Sequence, residues 1–106
     1  MQDIQMTPRK LHSIMNSSQP IPIFDIREDW ERELAYIPNS VHIPLSNIQD
    51  RLEEFPKDRY FAVVCHHGIR SLKTVLWLRQ NGFEACNLIG GINSWSEEID
   101  PSVPKY

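Results

Sequence analysis

The sequence predicts a small α/β domain, a parallel sheet with helices on both faces, from three observations. Apolar runs of strand length alternate along the chain with stretches of helical period. One of those runs, Tyr60 to Val64, is unbroken, which suits a strand covered on both faces in the middle of a parallel sheet. A length of 106 residues fits one ordinary domain with room for one hydrophobic core, so residues 1–106 are read as a single unit.

Thr7-Pro8 supplies an N-cap and a first-turn proline, after which Leu11, Ile14 and Met15 fall on one face of a short helix that Ser17-Ser18-Gln19-Pro20 ends. Ile21 to Ile26 reads as a short buried strand with Asp25 and Arg27 at its end, and Glu28 to Leu34 as a charged helical turn. Pro38, Asn39 and Pro44 bracket Val41-His42-Ile43, an extended piece, because proline fixes φ and pushes the residue before it out of the helical region. Leu45, Ile48, Leu52 and Phe55 follow helical spacing, with Ser46 or Asn47 as cap and Pro56 as stop. After the central strand, Leu72, Val75, Leu76 and Leu78 predict a buried helix over Ser71 to Gln80, which Asn81-Gly82 ends. Phe83 to Ile89 is a further strand, Gly90-Gly91 a turn, and Ile92 to Ile99 a last helix carrying Trp95, with Asp100-Pro101 closing it.

Composition excludes several classes of function. The net charge is -3 and the isoelectric point is about 5.7, so no polybasic surface for nucleic acid or anionic lipid is expected. The apolar runs are far shorter than the ~20 residues of a membrane helix, and Met1-Gln2-Asp3-Ile4-Gln5-Met6 has neither a basic leader nor a signal-like core. These features predict a soluble, cytoplasmic protein. Two cysteines are too few for a disulfide scaffold, and a structural Cys65–Cys86 bridge is disfavoured for a cytosolic chain.

Chemistry is suggested where Cys65 begins the run Cys65-His66-His67-Gly68-Ile69-Arg70-Ser71, between the central strand and the helix after it. Ligands in open α/β sheets bind at the carboxyl ends of strands, and Cys65 falls at one. Thiolate is the reactive form of cysteine, and backbone N–H groups at a helix N-terminus lower the cost of its charge. Arg70 and Lys73 add cationic charge nearby, and Gly68 gives the loop a residue free of Cβ restrictions.

Four segments, Asp25-Ile26-Arg27, Ile37-Pro38 with Ile43-Pro44-Leu45, Cys65 through Ser71, and Gly90-Gly91-Ile92 with Trp95, resemble the rhodanese domain in order and spacing. The resemblance spans nearly the whole chain, and Asp100 to Tyr106 is also similar to the end of rhodanese domains fused to enzymes that adenylylate sulfur-carrier proteins. Members usually carry Gly-His-Ile-Pro-Gly-Ala where this chain has Ala35-Tyr36-Ile37-Pro38-Asn39-Ser40, and Asn39 can take a left-handed turn almost as readily as glycine.

The resemblance implies a two-step sulfur transfer without metal or organic cofactor. Cys65 would take the outer sulfur of a small anionic donor such as thiosulfate, become a persulfide, and yield that sulfur to a thiol or to cyanide. Backbone N–H groups of residues 66 to 70 would cradle the terminal sulfur, with Arg70 first and Lys73 second in holding an anionic donor or stabilising the loop. A second reading is a relay module that takes a persulfide from a protein donor and passes it to a protein acceptor, a sulfur carrier or a tRNA-thiolation enzyme. A cysteine-dependent phosphatase or arsenate reductase is the nearest rival chemistry. Such phosphatases place five residues between cysteine and arginine, whereas four separate Cys65 from Arg70, and at about 3.3–3.6 Å of contour per residue the shorter loop suits one sulfur better than a phosphate.

Plainer readings stand beside these. His66 and His67 are adjacent, so their side chains should splay apart without forming a metal site, flanking the pocket or facing water. Asp25 and Arg27 either support the pocket or form an ion pair, for instance Arg27 with Glu31. Cys86 reads as a small buried hydrophobe, with a resolving thiol for Cys65 as the alternative. His12 and His42 read as surface or satisfied structural residues, and Trp30, Trp77 and Trp95 as core or rim aromatics.

Overall fold

A computed structural model describes residues 3–106; Met1 and Gln2, which open the segment read above as lacking a signal-like core, lie outside the described residues. Five strands, β1 (Gln5–Met6), β2 (Ile23–Asp25), β3 (Val41–His42), β4 (Phe61–Val64) and β5 (Ala85–Leu88), form one sheet in the order β1-β5-β4-β2-β3 with every pair parallel. The α/β class read from the sequence is the observed one. β4 lies at the centre, with Phe24 opposite Val63 on one side and Cys86 opposite Ala62 on the other, and all four of its residues are buried.

Alternation along β4 sends its side chains to two separate cores. Ala62 and Val64 join Met6, Leu11, Cys86, Ile92 and Trp95 under α1 (Pro8–Met15) and α4 (Gly91–Glu98). Phe61 and Val63 face the other way, with Val75 and Leu78 of α3 (Ile69–Gln80) and the rings of Phe24, Phe55 and Phe83. The four rings pack at centroid distances between 4.6 and 6.3 Å in tilted and edge-on geometry, the arrangement favoured by the ring quadrupole.

Local signals set the helix starts. Thr7 Oγ1 accepts the Lys10 N–H at 3.2 Å with Pro8 at the first helical position. A reciprocal capping box between Glu28 and Glu31 starts α2 (Asp29–Leu34). Asn39 takes φ 69°, the left-handed turn expected of it.

β2 and β5 are shorter than the runs Ile21 to Ile26 and Phe83 to Ile89 read as strands, and three further elements depart from the sequence reading. The residues from Leu45 to Phe55 form two 3-10 turns, Leu45–Asn47 and Leu52–Glu54, where a single helix was expected. Ile48 and Phe55 still reach the core, but Leu45 is exposed, so two tight turns closed by Asn47 N–H to Pro44 O (2.8 Å) and Glu54 N–H to Arg51 O (3.0 Å) satisfy the same apolar spacing. Helix α3 begins at Ile69, two residues before the expected Ser71, because Gly68 at φ +88° acts as its N-cap. Strand β1 was not expected, since two residues carry no periodicity; it is held by pairing Gln5 with Asn87 and Met6 with Leu88.

Candidate active site

Cys65 follows β4 directly and is 1% exposed. The chain turns back so that Sγ accepts the backbone N–H of Gly68 at 3.1 Å and of Ser71 at 3.3 Å, and lies 3.1 Å from Ser71 Oγ. Two carbonyls of the loop point the opposite way, where Cys65 O accepts the Ile92 N–H at 2.9 Å and His66 O the Asn93 N–H at 3.1 Å. Helix α4 therefore uses its otherwise unpaired N-terminal donors to hold the loop. Gly91 is required for this contact: a Cβ there would clash with both carbonyl oxygens.

Ser71 Oγ also donates to Asn87 Oδ1 on β5, and Asn87 Nδ2 donates to Gln5 Oε1 at 2.7 Å and to Gly68 O at 3.2 Å. The sulfur, the serine and the asparagine are all buried.

A charged cluster lies beside this neutral cradle. Asp25 accepts Arg27 Nε at 2.9 Å and Arg27 Nη2 at 2.7 Å, and Arg27 Nη1 donates to the Tyr106 hydroxyl at 2.8 Å. Tyr106 donates in turn to Glu31 Oε2 at 2.8 Å. Both Glu31 oxygens are held by Arg70, at 2.7 and 2.8 Å, in a bidentate fork. The ion-pair partner of Arg27 is thus Asp25, while Glu31 pairs with Arg70. Burial raises the Glu31 carboxyl, but the Arg70 guanidinium, the Glu28 N–H and the Tyr106 hydroxyl outweigh it and hold the group at about 2. Tyr106 is pushed up to about 12, first by burial, so its hydroxyl stays protonated and available to Glu31.

The rhodanese-like domain family model matches residues 7–98. The chain belongs to the rhodanese-like domain family. Among solved structures, this rhodanese-like domain is similar to the rhodanese-like domain protein of Staphylococcus aureus, at TM-score 0.86 and 35% identity over 98% of this chain and 99% of that one. It is 29% identical over 97 residues to YtwF of Bacillus subtilis (strain 168), covering 92% of this chain and 94% of YtwF. It is 36% identical over 94 residues to the adenylyltransferase and sulfurtransferase uba4 of Ogataea parapolymorpha, covering 85% of this chain but 24% of uba4.

In this rhodanese-like domain the two loop histidines do not splay. His66 and His67 stack with centroids 4.0 Å apart, and Tyr106 covers the other face of His66 at 3.8 Å with an interplanar angle of 11°. Burial and then His67 lower the His66 pKa, so at neutral pH His66 is an uncharged plate in a three-ring stack. His42 Nε2 lies 2.7 Å from Arg27 O, and His12 packs edge-on to Trp95 at 6.0 Å. Trp95 is buried and Trp30 exposed.

Lys73 faces a groove of about 560 Å³ beside the loop, bounded also by Leu45, Ile48, Asp50, Arg70 and Trp77. Ile69, in the first turn of α3, is 68% exposed. Cys86 belongs to the core on the opposite sheet face from Cys65, which keeps the two thiols apart. Burial first raises the Cys86 pKa, as expected of a small buried hydrophobe.

The sequence reading grouped Cys65 with His66, His67, Gly68, Ile69, Arg70 and Ser71 and offered Asp25, Arg27 and Lys73 as supports. In the structure Gly68 and Ser71 donate to the sulfur, Arg70 is held by Glu31, Asp25 and Arg27 pair with each other, and Lys73 lines the groove. The sequence reading missed Asn87, Tyr106 and the clamp by Gly91, and named Glu31 only as a partner for Arg27, where the structure gives it Arg70. A buried asparagine inside an otherwise apolar strand was the one available cue for Asn87.

Proposed function

We propose that this chain is a sulfurtransferase in which Cys65 carries a sulfane sulfur as a persulfide. The observation that carries the reading is the cradle: one buried sulfur at a strand end, with two backbone N–H groups donating to it and the Ser71 hydroxyl oxygen 3.1 Å away. Ile69 and Arg70, the first two residues of α3, add N–H groups with no acceptor inside the helix, available to an anionic terminal sulfur.

In the first step the Cys65 thiolate attacks the outer sulfur of the donor. The donor S–S bond breaks, its electron pair leaves with the inner group, and a Cys65 S–S bond forms. In the second step an acceptor thiolate attacks that outer sulfur and Cys65 thiolate is restored, with no net oxidation. The donor class this geometry favours is a persulfide on a thiol, above thiosulfate. The Arg70 fork is filled by Glu31, so a free anion finds Lys73 as the nearby cation, which forms no ion pair among the described residues. Exposed Ile69 and Leu45 at the rim add apolar surface that a protein donor or acceptor could cover. The kinship with uba4, whose name joins adenylyl transfer to sulfur transfer, supports the same relay reading. The four-residue interval between Cys65 and Arg70 speaks against phosphate chemistry.

The test is intact-protein mass after incubation with thiosulfate or with a thiol persulfide, with and without reductant. A reducible gain of one sulfur in the native chain, absent in Cys65→Ser, is the expected result, faster with the persulfide. No gain from either donor would overturn the reading.

A further inference from the structure

The Ser71 hydroxyl has one proton and two neighbours that can take it. Gly68 O can only accept, so the Asn87 atom facing it is the amide nitrogen, and Gln5 Oε1 holds the second N–H of that amide. Asn87 Oδ1 is thereby turned to Ser71 and can only accept, which directs the Ser71 proton to it. Ser71 Oγ then accepts from Cys65, whose sulfur must carry its proton in this arrangement. When that proton leaves to water, the sulfur has nothing to donate and becomes a second acceptor. Thiolate and amide oxygen now compete for one hydroxyl proton.

We propose that Asn87 is a positioning residue that holds the Ser71 hydroxyl proton away from Cys65 in the thiol and yields it when the sulfur ionises, so that three donors meet the thiolate and two meet the thiol. The only bond that breaks is S–H, and its proton goes to solvent. Asn87 thus opposes ionisation at rest and sets how readily the nucleophile forms. The inference rests on the sulfur-transfer reading for the use made of the thiolate, but the hydrogen-bond exchange itself needs no sulfur donor.

The charged and titratable groups of the loop and of the elements beside it are His66 and His67, Arg70 and Lys73 of α3, Asp25 at the end of β2 and Arg27 after it, Glu31 of α2, and Tyr106. None of these groups hydrogen-bonds to Asn87, whose partners are Ser71, Gln5 and Gly68, so the variants compared carry the same charges.

The experiment is the rate of Cys65 alkylation by iodoacetamide against pH, read on the Cys65 peptide. Asn87→Ala should move the midpoint of that profile down by about one pH unit, the size expected when a competing acceptor is removed from a charge-assisted hydrogen bond. Ser71→Ala should move it up, and Asn87→Ala added to Ser71→Ala should move it no further. An unmoved or higher midpoint in Asn87→Ala, or an equal shift without Ser71, would overturn the proposal. In the native chain the NMR signals of the Asn87 side-chain amide should titrate with the alkylation midpoint and cease to do so in Ser71→Ala. Amide signals that stay constant through the midpoint would overturn it even where Asn87→Ala fails to fold. Sulfur loading that fails while these shifts occur would sink the transfer reading alone.

Discussion

The two halves of the site are built from opposite materials. Around Cys65 Sγ the contacts are neutral, from the backbone N–H groups of Gly68 and Ser71 and from the Ser71 hydroxyl. Around Arg70 they are ionic, a chain from Asp25 through Arg27, Tyr106 and Glu31. Neutral hydrogen bonds can be exchanged between donors at small cost, whereas removing one member of a buried charged set leaves another uncompensated. The difference assigns labour: the neutral half can follow the sulfur through changes of charge, and the ionic half keeps the loop where it is.

The largest effect expected follows from removing Cys65, the proposed nucleophile. Cys65→Ser should lower sulfur transfer by at least about a thousandfold with an unchanged thermal transition; residual activity near that of the native chain would break the division of labour at once. Next comes Arg70→Ala, which strands the Glu31 carboxylate. Because Arg70 is partly exposed, the loss of stability should be about 1–3 kcal/mol, below the range for a fully buried pair, measured by urea denaturation. Thiosulfate and persulfide transfer should fall by similar factors; a loss confined to thiosulfate would mean that Glu31 releases Arg70 to the anion.

Acid provides a third test. The folded Glu31 carboxyl sits at about 2, below its unfolded value, so its contribution is complete above the ordinary glutamate value of about 4.3 and is lost as pH falls towards 2. The urea midpoint should therefore decline through that window, and Glu31→Gln should flatten the decline even though it lowers stability at neutral pH. The smallest effect belongs to Tyr106→Phe, which keeps the stack on His66 and loses only the hydroxyl between Arg27 and Glu31. About 1 kcal/mol is expected, with the sulfur's alkylation profile unmoved; a shifted profile would show that the two halves communicate.

What was legible in the sequence was local. Tyr60 to Val64 announced the central strand, Thr7-Pro8 a helix start, and Cys65 before Gly68 a turn between that strand and a helix. The apolar spacing from Leu45 to Phe55 misled, because periodicity reports which residues face the core and does not distinguish one helix from two tight turns. Glu31 and Arg70 are joined only by the fold, as are Tyr106 and His66, so no interval along the chain predicts their meeting. Gln5 and Asn87 illustrate the same limit: a two-residue strand has no pattern, yet it turns the amide that faces Ser71.

The grip of Gly91, Ile92 and Asn93 on the carbonyls of Cys65 and His66 also bears on how the protein is made. Synthesis runs from the N-terminus, so the cysteine leaves the ribosome well before the residues that shape its surroundings. The loop gains these two hydrogen bonds only when α4 docks, so a fragment that stops short of that helix holds Cys65 without them.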